Sequence, residues 1–285
     1  MEKNNSEIPK LNDDKKDVYL IGGSDLEMYQ IKKRLSRSGK EVVDKNLKWG
    51  AKVDDYKDEI KKILGEEKIP VAVELSGAGQ VEGVIDIDHH GDKSGNPASI
   101  SQVMERAGLK MSFIDELVAA NDSMYIPGME AKIEEHRKDF EVRIGAERFE
   151  KLKDKLISLI RAKDRQVQGI TLEHEKQADE AINNLENTCD GQLTVVHLQH
   201  SKTATIADRL FGKYKNLLII SGDGEVNFYG DGKLCQDLQK KFEGSWSGGS
   251  GLGRSGENAY WGINSNSDDI LEFIKQYVSD NFMKK

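Results

Sequence analysis

Asp88, His89 and His90 stand in a row at the end of the apolar run Val84-Ile85-Asp86-Ile87. A carboxylate and neutral imidazoles at one point suit a divalent ion such as manganese, magnesium or zinc. One histidine there would read as a polar loop residue after a strand. Two adjacent histidines after an aspartate favour a metal site instead. A second group able to do chemistry is Gly248-Gly249-Ser250-Gly251-Leu252-Gly253-Arg254. Successive glycines expose backbone N–H groups that can form an anion nest, and Arg254 can add a bidentate phosphate contact. Taken alone the run reads as a flexible surface loop; beside a phosphate-handling domain it reads as a phosphate or nucleotide contact. Trp246, Tyr260 and Trp261 flank it and suit either base stacking or core packing.

These residues need a scaffold, and the pattern around them is α/β. A first strand, Val18-Tyr19-Leu20-Ile21, closes on Gly22-Gly23, and Ser24 or Asp25 caps a helix with Leu26, Ile31 and Leu35 on its buried face. Strands follow at 41–43, 71–75 and 81–88, with a helix near 54–64. The continuous apolar strands predict a doubly wound, mostly parallel sheet over residues 17–128, with ligands gathered at the carboxyl ends of the strands. A helix begins near Pro97 or Ala98, another covers about 112–122, and Pro127-Gly128 closes this domain. Residues 1–16 read as a disordered lead-in, and 129–190 as a helical connector in which Thr171 caps a helix. From 191 to 285 a smaller α/β domain is expected. Its strands are LTVVHLQH, NLLIIS, EVNFY and AYWGI, its helices 203–214, 233–242 and 267–281, the last capped within Asn264-Ser265-Asn266-Ser267.

VIDIDHHG resembles the third motif of the DHH phosphoesterase superfamily. That superfamily includes RecJ-like exonucleases, nano-RNA and pAp phosphatases, cyclic-di-AMP phosphodiesterases and family II inorganic pyrophosphatases. The resemblance extends to other motifs. Gly23-Ser24-Asp25-Leu26-Glu27 stands where the family has His-x-Asp-x-Asp, with glycine in place of the histidine. Glu74 matches the second-motif acid and Asp122 the fourth. The glycine run, followed by Ala259-Tyr260-Trp261-Gly262, is similar to the family's GGGH loop but lacks its histidine.

The resemblance implies a metal site formed by Asp25, Glu27, Glu74, Asp88, His89 and Asp122, with Glu74 as the bridge. Asp88 and His90 would take catalytic roles, His90 touching substrate or moving a proton. Gly248, Gly249, Ser250, Gly251 and Arg254 would hold substrate phosphate. One or two divalent ions are implied, manganese first, magnesium or cobalt as alternatives. Gly23 leaves one metal position short of a ligand, so the site holds one tight ion, recruits another residue such as Asp86, or is inactive.

Composition narrows the partners. Lys and Arg number 42 against 50 Asp and Glu, a net charge of −8, which disfavours sequence-independent binding to duplex nucleic acid. A small anion remains accessible once metal ions offset the field. Cys189 and Cys235 form no CxxC or zinc pattern, and the polar N-terminus has no apolar core. A cytoplasmic protein with no membrane contact is expected, as a possible homodimer. His197 and His200 lie three apart on an expected strand, His174 is expected in solvent, and Lys163-Asp164-Arg165 reads as a charged helix face. The function expected is hydrolysis of a small nucleotide: a short single-stranded oligonucleotide, pAp, a cyclic dinucleotide or a related messenger. Two alternatives stay open, a non-catalytic nucleotide sensor on a degenerate scaffold and a pyrophosphatase-like enzyme.

Overall fold

The computed structural model describes residues 16–48, 50–249, 251–265 and 268–283. Ser250, most of the expected lead-in and half of the expected cap at 264–267 lie outside the described residues. The chain is α/β throughout and divides into two compact units between Gln168 and Gly169.

In the first unit, β1 (Asp17–Ile21), β2 (Glu41–Val43), β3 (Ile69–Val73) and β4 (Ile85–Ile87) form one sheet in the order β2-β1-β3-β4. Every pairing in it is parallel. Val18, Leu20 and Ala72 pack on one face against Tyr56 and the helix α2 (Lys57–Gly65), through Ile60 and Ile63. Tyr19, Ile21, Val71 and Val73 alternate to the other face and are equally buried. Each such side chain removed from water contributes roughly 1.5–3 kcal/mol. Helices α1 (Leu26–Arg37), α3 (Ser99–Arg106), α4 (Phe113–Glu135) and α6 (Ala146–Val167) pack on one another beside this sheet, and α5 (Arg137–Ile144) joins the last two. The chain turns from β1 to β2 on one side and returns to β3 on the other. A crevice therefore opens beyond the carboxyl ends of β1 and β3.

Two features fix the backbone at that crevice. The buried Tyr56 hydroxyl donates to the Ile21 carbonyl (2.7 Å) and accepts from the Lys45 amide (3.0 Å). Gly22 leaves β1 so close to the end of β3 that a Cβ there would lie 2.7 Å from the carbonyl oxygens of both Val73 and Glu74. Gly22→Ala is therefore expected to cost about 2–3 kcal/mol, in the range of an overpacked core. It is also expected to displace Glu74; a thermal melt and a metal titration on the same sample check both.

The second unit holds a mixed sheet of β5 (Glu186–Thr188), β6 (Leu193–Leu198), β7 (Leu217–Ser221), β8 (Val226–Asp231), β10 (Asn258–Ile263) and β9 (Trp246–Gly248), in that order. Among the described residues, only β6 and β7 pair in parallel in this sheet. The helix α7 (Leu172–Asn183) and α8 (Ala204–Leu210) enclose one apolar cluster with Val196, Ile206 and Leu217. Helices α9 (Gly232–Lys241) and α10 (Asp268–Phe282) enclose another around Phe228, Leu238 and Trp261. Trp261 thus belongs to the core. Thr171 caps α7 as its sequence predicts, its hydroxyl accepting from the His174 amide.

Three expectations change. The strand expected at 81–88 is confined to Ile85–Ile87, because a positive φ at Gly83 turns the chain first. Pro127 does not end the helix before it. The backbone breaks at Tyr125 (φ 57, ψ −143), and Pro127 falls in the first turn of a new helical segment, where its missing N–H costs nothing. The helical stretch expected as a connector is divided, with α4, α5 and α6 in the first unit and α7 in the second. Among the described residues no helix is long and apolar enough to cross a membrane.

Candidate metal centre

Five elements bring the acids and the imidazoles together. Asp25 caps α1, its Oδ1 accepting from the Met28 amide at 2.8 Å, which turns the next residues into the crevice. Glu27, in the first turn, is buried; its Oε1 accepts from the Ile100 amide at the start of α3 (2.9 Å). Glu74 follows β3 with φ 52, a left-handed conformation that costs a non-glycine residue energy. Such strain is retained where the fold over-determines it, commonly at functional sites. Its amide donates to the Ile87 carbonyl (2.8 Å), tying it to β4, which in turn delivers His89 and His90. Asp122 comes from α4, three residues before the break at Tyr125.

Ligand atoms of Glu74, His89, His90 and Asp122 all lie within 4.8 Å of one another. His89 Nε2 is the hub: Asp122 Oδ2 is 2.6 Å away, Glu74 Oε1 3.4 Å and Glu27 Oε2 3.6 Å. None of these four atoms has a hydrogen-bond partner with acceptable geometry, although all are buried. Buried polar atoms are ordinarily paired. Four that converge without a hydrogen-bond partner, three oxygens and one imidazole nitrogen, are a donor set that could hold a divalent ion. The remaining lone pairs are fixed from outside, Glu27 Oε1 by α3 and Glu74 Oε2 by His90 Nε2 at 3.4 Å.

Ionisation follows from the crowding. Burial, then the neighbouring Glu74, pushes the Asp25 carboxyl up to about 7. Burial likewise raises Glu27 well above the carboxylate range. Burial works against His89⁺, but Asp122, Glu27 and Glu74 outweigh it and push His89 up to about 12. Glu74 also resists burial: His89, His90 and Glu27 hold it below its ordinary range. Beside Glu74, His90 is raised. In the metal-free cluster, therefore, protons supply the positive charge that a cation would supply.

Asp25, Glu74, Asp86, Asp88, His90 and Lys93 line a cavity of about 480 Å³ that also includes Gly23. Asp88 does not join the convergence. Its Oδ1 accepts from the His90 amide (2.9 Å), its Oδ2 faces Lys93 Nζ (3.5 Å), and Lys93 also pairs with Asp86. The larger cavity, about 750 Å³ beside Phe242 and Phe273, lies in the second unit and contains none of these residues.

No protein-family model matches the chain, and no curated protein matches it in sequence. Among solved structures, an exopolyphosphatase-related protein from Bacteroides fragilis is 12% identical, with 93% of this chain and 92% of that one covered at a TM-score of 0.44. An uncharacterized protein from Helicobacter pylori is 13% identical, with 93% and 99% covered at a TM-score of 0.28. Likeness at these TM-scores says nothing about chemistry, so the functional reading rests on the side chains.

The glycine run has a structural account of its own. The amides of Gly253 and Gly256 donate to the Gly232 carbonyl (2.8 Å) and to Asp231 Oδ2 (2.6 Å), wrapping the run around the start of α9. A Cβ on Gly251 would meet the Asn258 carbonyl oxygen at 2.5 Å, and one on Gly248 the Tyr260 hydroxyl at 2.3 Å. Gly249 has φ 100. Arg254 is exposed and lies 3.2 Å from Glu257. Packing thus explains these glycines without an anion. His200 accepts from the Lys202 amide at Nδ1 (3.1 Å) and its ring lies 4.5 Å from that of His174, which is half-buried rather than solvated.

Sequence reasoning missed three contributors: the Ile100 amide, Lys93, and the buried pair Arg161 and Asp164 on α6. Asp164 was read as part of a charged surface. Its position one turn after the buried Ile160 is the signal that places it on the inner face.

Proposed function

We propose that the chain is a metal-dependent phosphoesterase that hydrolyses a small nucleotide. The observation carrying this reading is the convergence of Glu27 Oε2, Glu74 Oε1, His89 Nε2 and Asp122 Oδ2, four unpaired buried ligand atoms at the carboxyl ends of parallel strands. A divalent ion held there, with manganese the expected choice, would lower the pKa of a water toward ~7 and polarise a phosphoryl oxygen. The residues present fit one ion.

The chain's own residues do the rest. Glu27 and Glu74 each keep one oxygen for the ion because the other is committed to Ile100 N–H or His90. His90 is half-exposed in the cavity and its pKa is raised beside Glu74, which suits it to touch a phosphoryl oxygen or protonate a leaving group. Asp25, beside Glu74, is the carboxylate placed to take a proton from an attacking water. Asp88 shapes the turn that presents both imidazoles, through the His90 amide. Lys93 sets an ammonium in the cavity wall against its acids. The net charge of −8 and the cavity's acids favour a small or single-stranded substrate over a duplex.

Incubation with manganese and a panel of short oligonucleotides, pAp, cyclic dinucleotides and pyrophosphate tests it. Turnover of at least one nucleotide is expected, lost in Asp122→Ala. Nucleotide binding without turnover, unaffected by chelator, would favour a sensor; phosphate release from pyrophosphate alone would favour a pyrophosphatase-like enzyme.

A further inference from the structure

We infer that Arg161 and Asp164 of α6 are positioning residues for the metal centre. This rests on the metal-site reading above and extends it to a helix whose sequence suggests only a solvated charged face.

The pair is buried, with Arg161 Nη1 2.6 Å from Asp164 Oδ2. Each partner also contacts an element that carries ligands. Asp164 Oδ1 accepts from the Leu26 amide (3.3 Å), and Leu26 stands between Asp25 and Glu27. That amide is in the first turn of α1, where no carbonyl within the helix is available to it. Arg161 Nη1 also donates to Asn121 Oδ1 (2.8 Å), and Asn121 is next to Asp122. The guanidinium lies 4.5 Å from the centre of the Tyr125 ring, the residue whose φ of 57 breaks α4. One ion pair therefore spans from the backbone of the Asp25–Glu27 turn to the Asn121–Asp122 turn, and stacks on the residue at which the helix behind Asp122 breaks.

A bare stability role does not require these contacts. Two buried charges cost desolvation, and apolar replacements of similar volume are often neutral or stabilising. Groups that orient metal ligands, by contrast, commonly change affinity 10–100-fold when removed. α6 thereby acts as a brace that holds ligands from α1 and α4 at one separation.

The test replaces both partners together, Arg161→Met with Asp164→Leu, so that no uncompensated charge is buried. Mn²⁺ affinity is read by calorimetry on the full chain, next to a thermal melt. The expected result is a 10–100-fold weaker Kd with the folded transition retained. Arg161→Met with Asp164→Asn, which still accepts from Leu26 and also leaves no uncompensated buried charge, is expected to lose less affinity and serves as the second variant if the first folds poorly. Mn²⁺ affinity equal to wild type in the folded variant carrying Arg161→Met with Asp164→Leu, or an equally large loss when Asp164→Asn replaces Asp164→Leu, overturns the positioning role alone. Wild-type protein that binds Mn²⁺ no better than His89→Ala overturns the metal-site reading and this inference with it.

Discussion

His89→Ala is expected to remove tight Mn²⁺ binding and to lower turnover about a thousandfold. His89 Nε2 is the nitrogen on which Asp122, Glu74 and Glu27 converge at 2.6, 3.4 and 3.6 Å. Its loss leaves three carboxylates without the borderline ligand that favours a transition ion over bulk magnesium. A bound ion contributes several kcal/mol of charge stabilisation, and about 4 kcal/mol corresponds to about a thousandfold in rate. The variant also removes a buried positive charge from the metal-free protein, so its melting temperature in chelator falls below that of wild type. Parallel steady-state kinetics, Mn²⁺ titration and melts in chelator check all three. Turnover within tenfold of wild type would mean that the chemistry occurs elsewhere.

The second large effect is the pH dependence of metal affinity. Burial and Glu74 raise Asp25 to about 7, burial raises Glu27, and the carboxylates raise His89 to about 12. All three favour their protonated forms in the folded metal-free protein more than in the unfolded chain. The stability these groups give is fully present below their unfolded pKa values and is lost as pH rises through the folded ones. Glu74 runs the other way, but its contribution changes only below its unfolded pKa of 4.5. Between pH 5.5 and 8 the metal-free protein is therefore expected to lose stability. A cation must displace these protons, so affinity rises about tenfold per pH unit for each proton released. Melts with chelator and with manganese at both pH values show it. The chelator curve shifts down with pH while the gap between the two widens.

How far the sequence reveals this site depends on whether a residue acts through local or tertiary structure. Asp88-His89-His90 is legible because an apolar strand must end somewhere, and its end is where ligands collect. Asp25 as a helix cap is legible for the same local reason. That Glu74 takes a left-handed backbone, which aims its carboxylate at His89, is not, because the cause is the crowding of Gly22 against the end of β3. Asp88 shows the reverse case. Its residue type suits a ligand, while in this fold its Oδ1 accepts from the His90 amide and its Oδ2 faces Lys93. Pro127 looked like a terminator because sequence alone cannot show a break two residues earlier at Tyr125. Arg161 and Asp164 were hidden in a stretch of charges, and only the packing of α6 beside α1 and α4 reveals which of those charges face inward.

A crystal of the full chain soaked in manganese, with anomalous scattering recorded at the manganese edge, shows directly whether the four converging atoms hold an ion. One strong peak is expected among Glu27 Oε2, Glu74 Oε1, His89 Nε2 and Asp122 Oδ2, with His89 neutral. Absence of a peak there, or a peak only between Asp86 and Asp88 with those four atoms left unbridged, would contradict the metal-site reading.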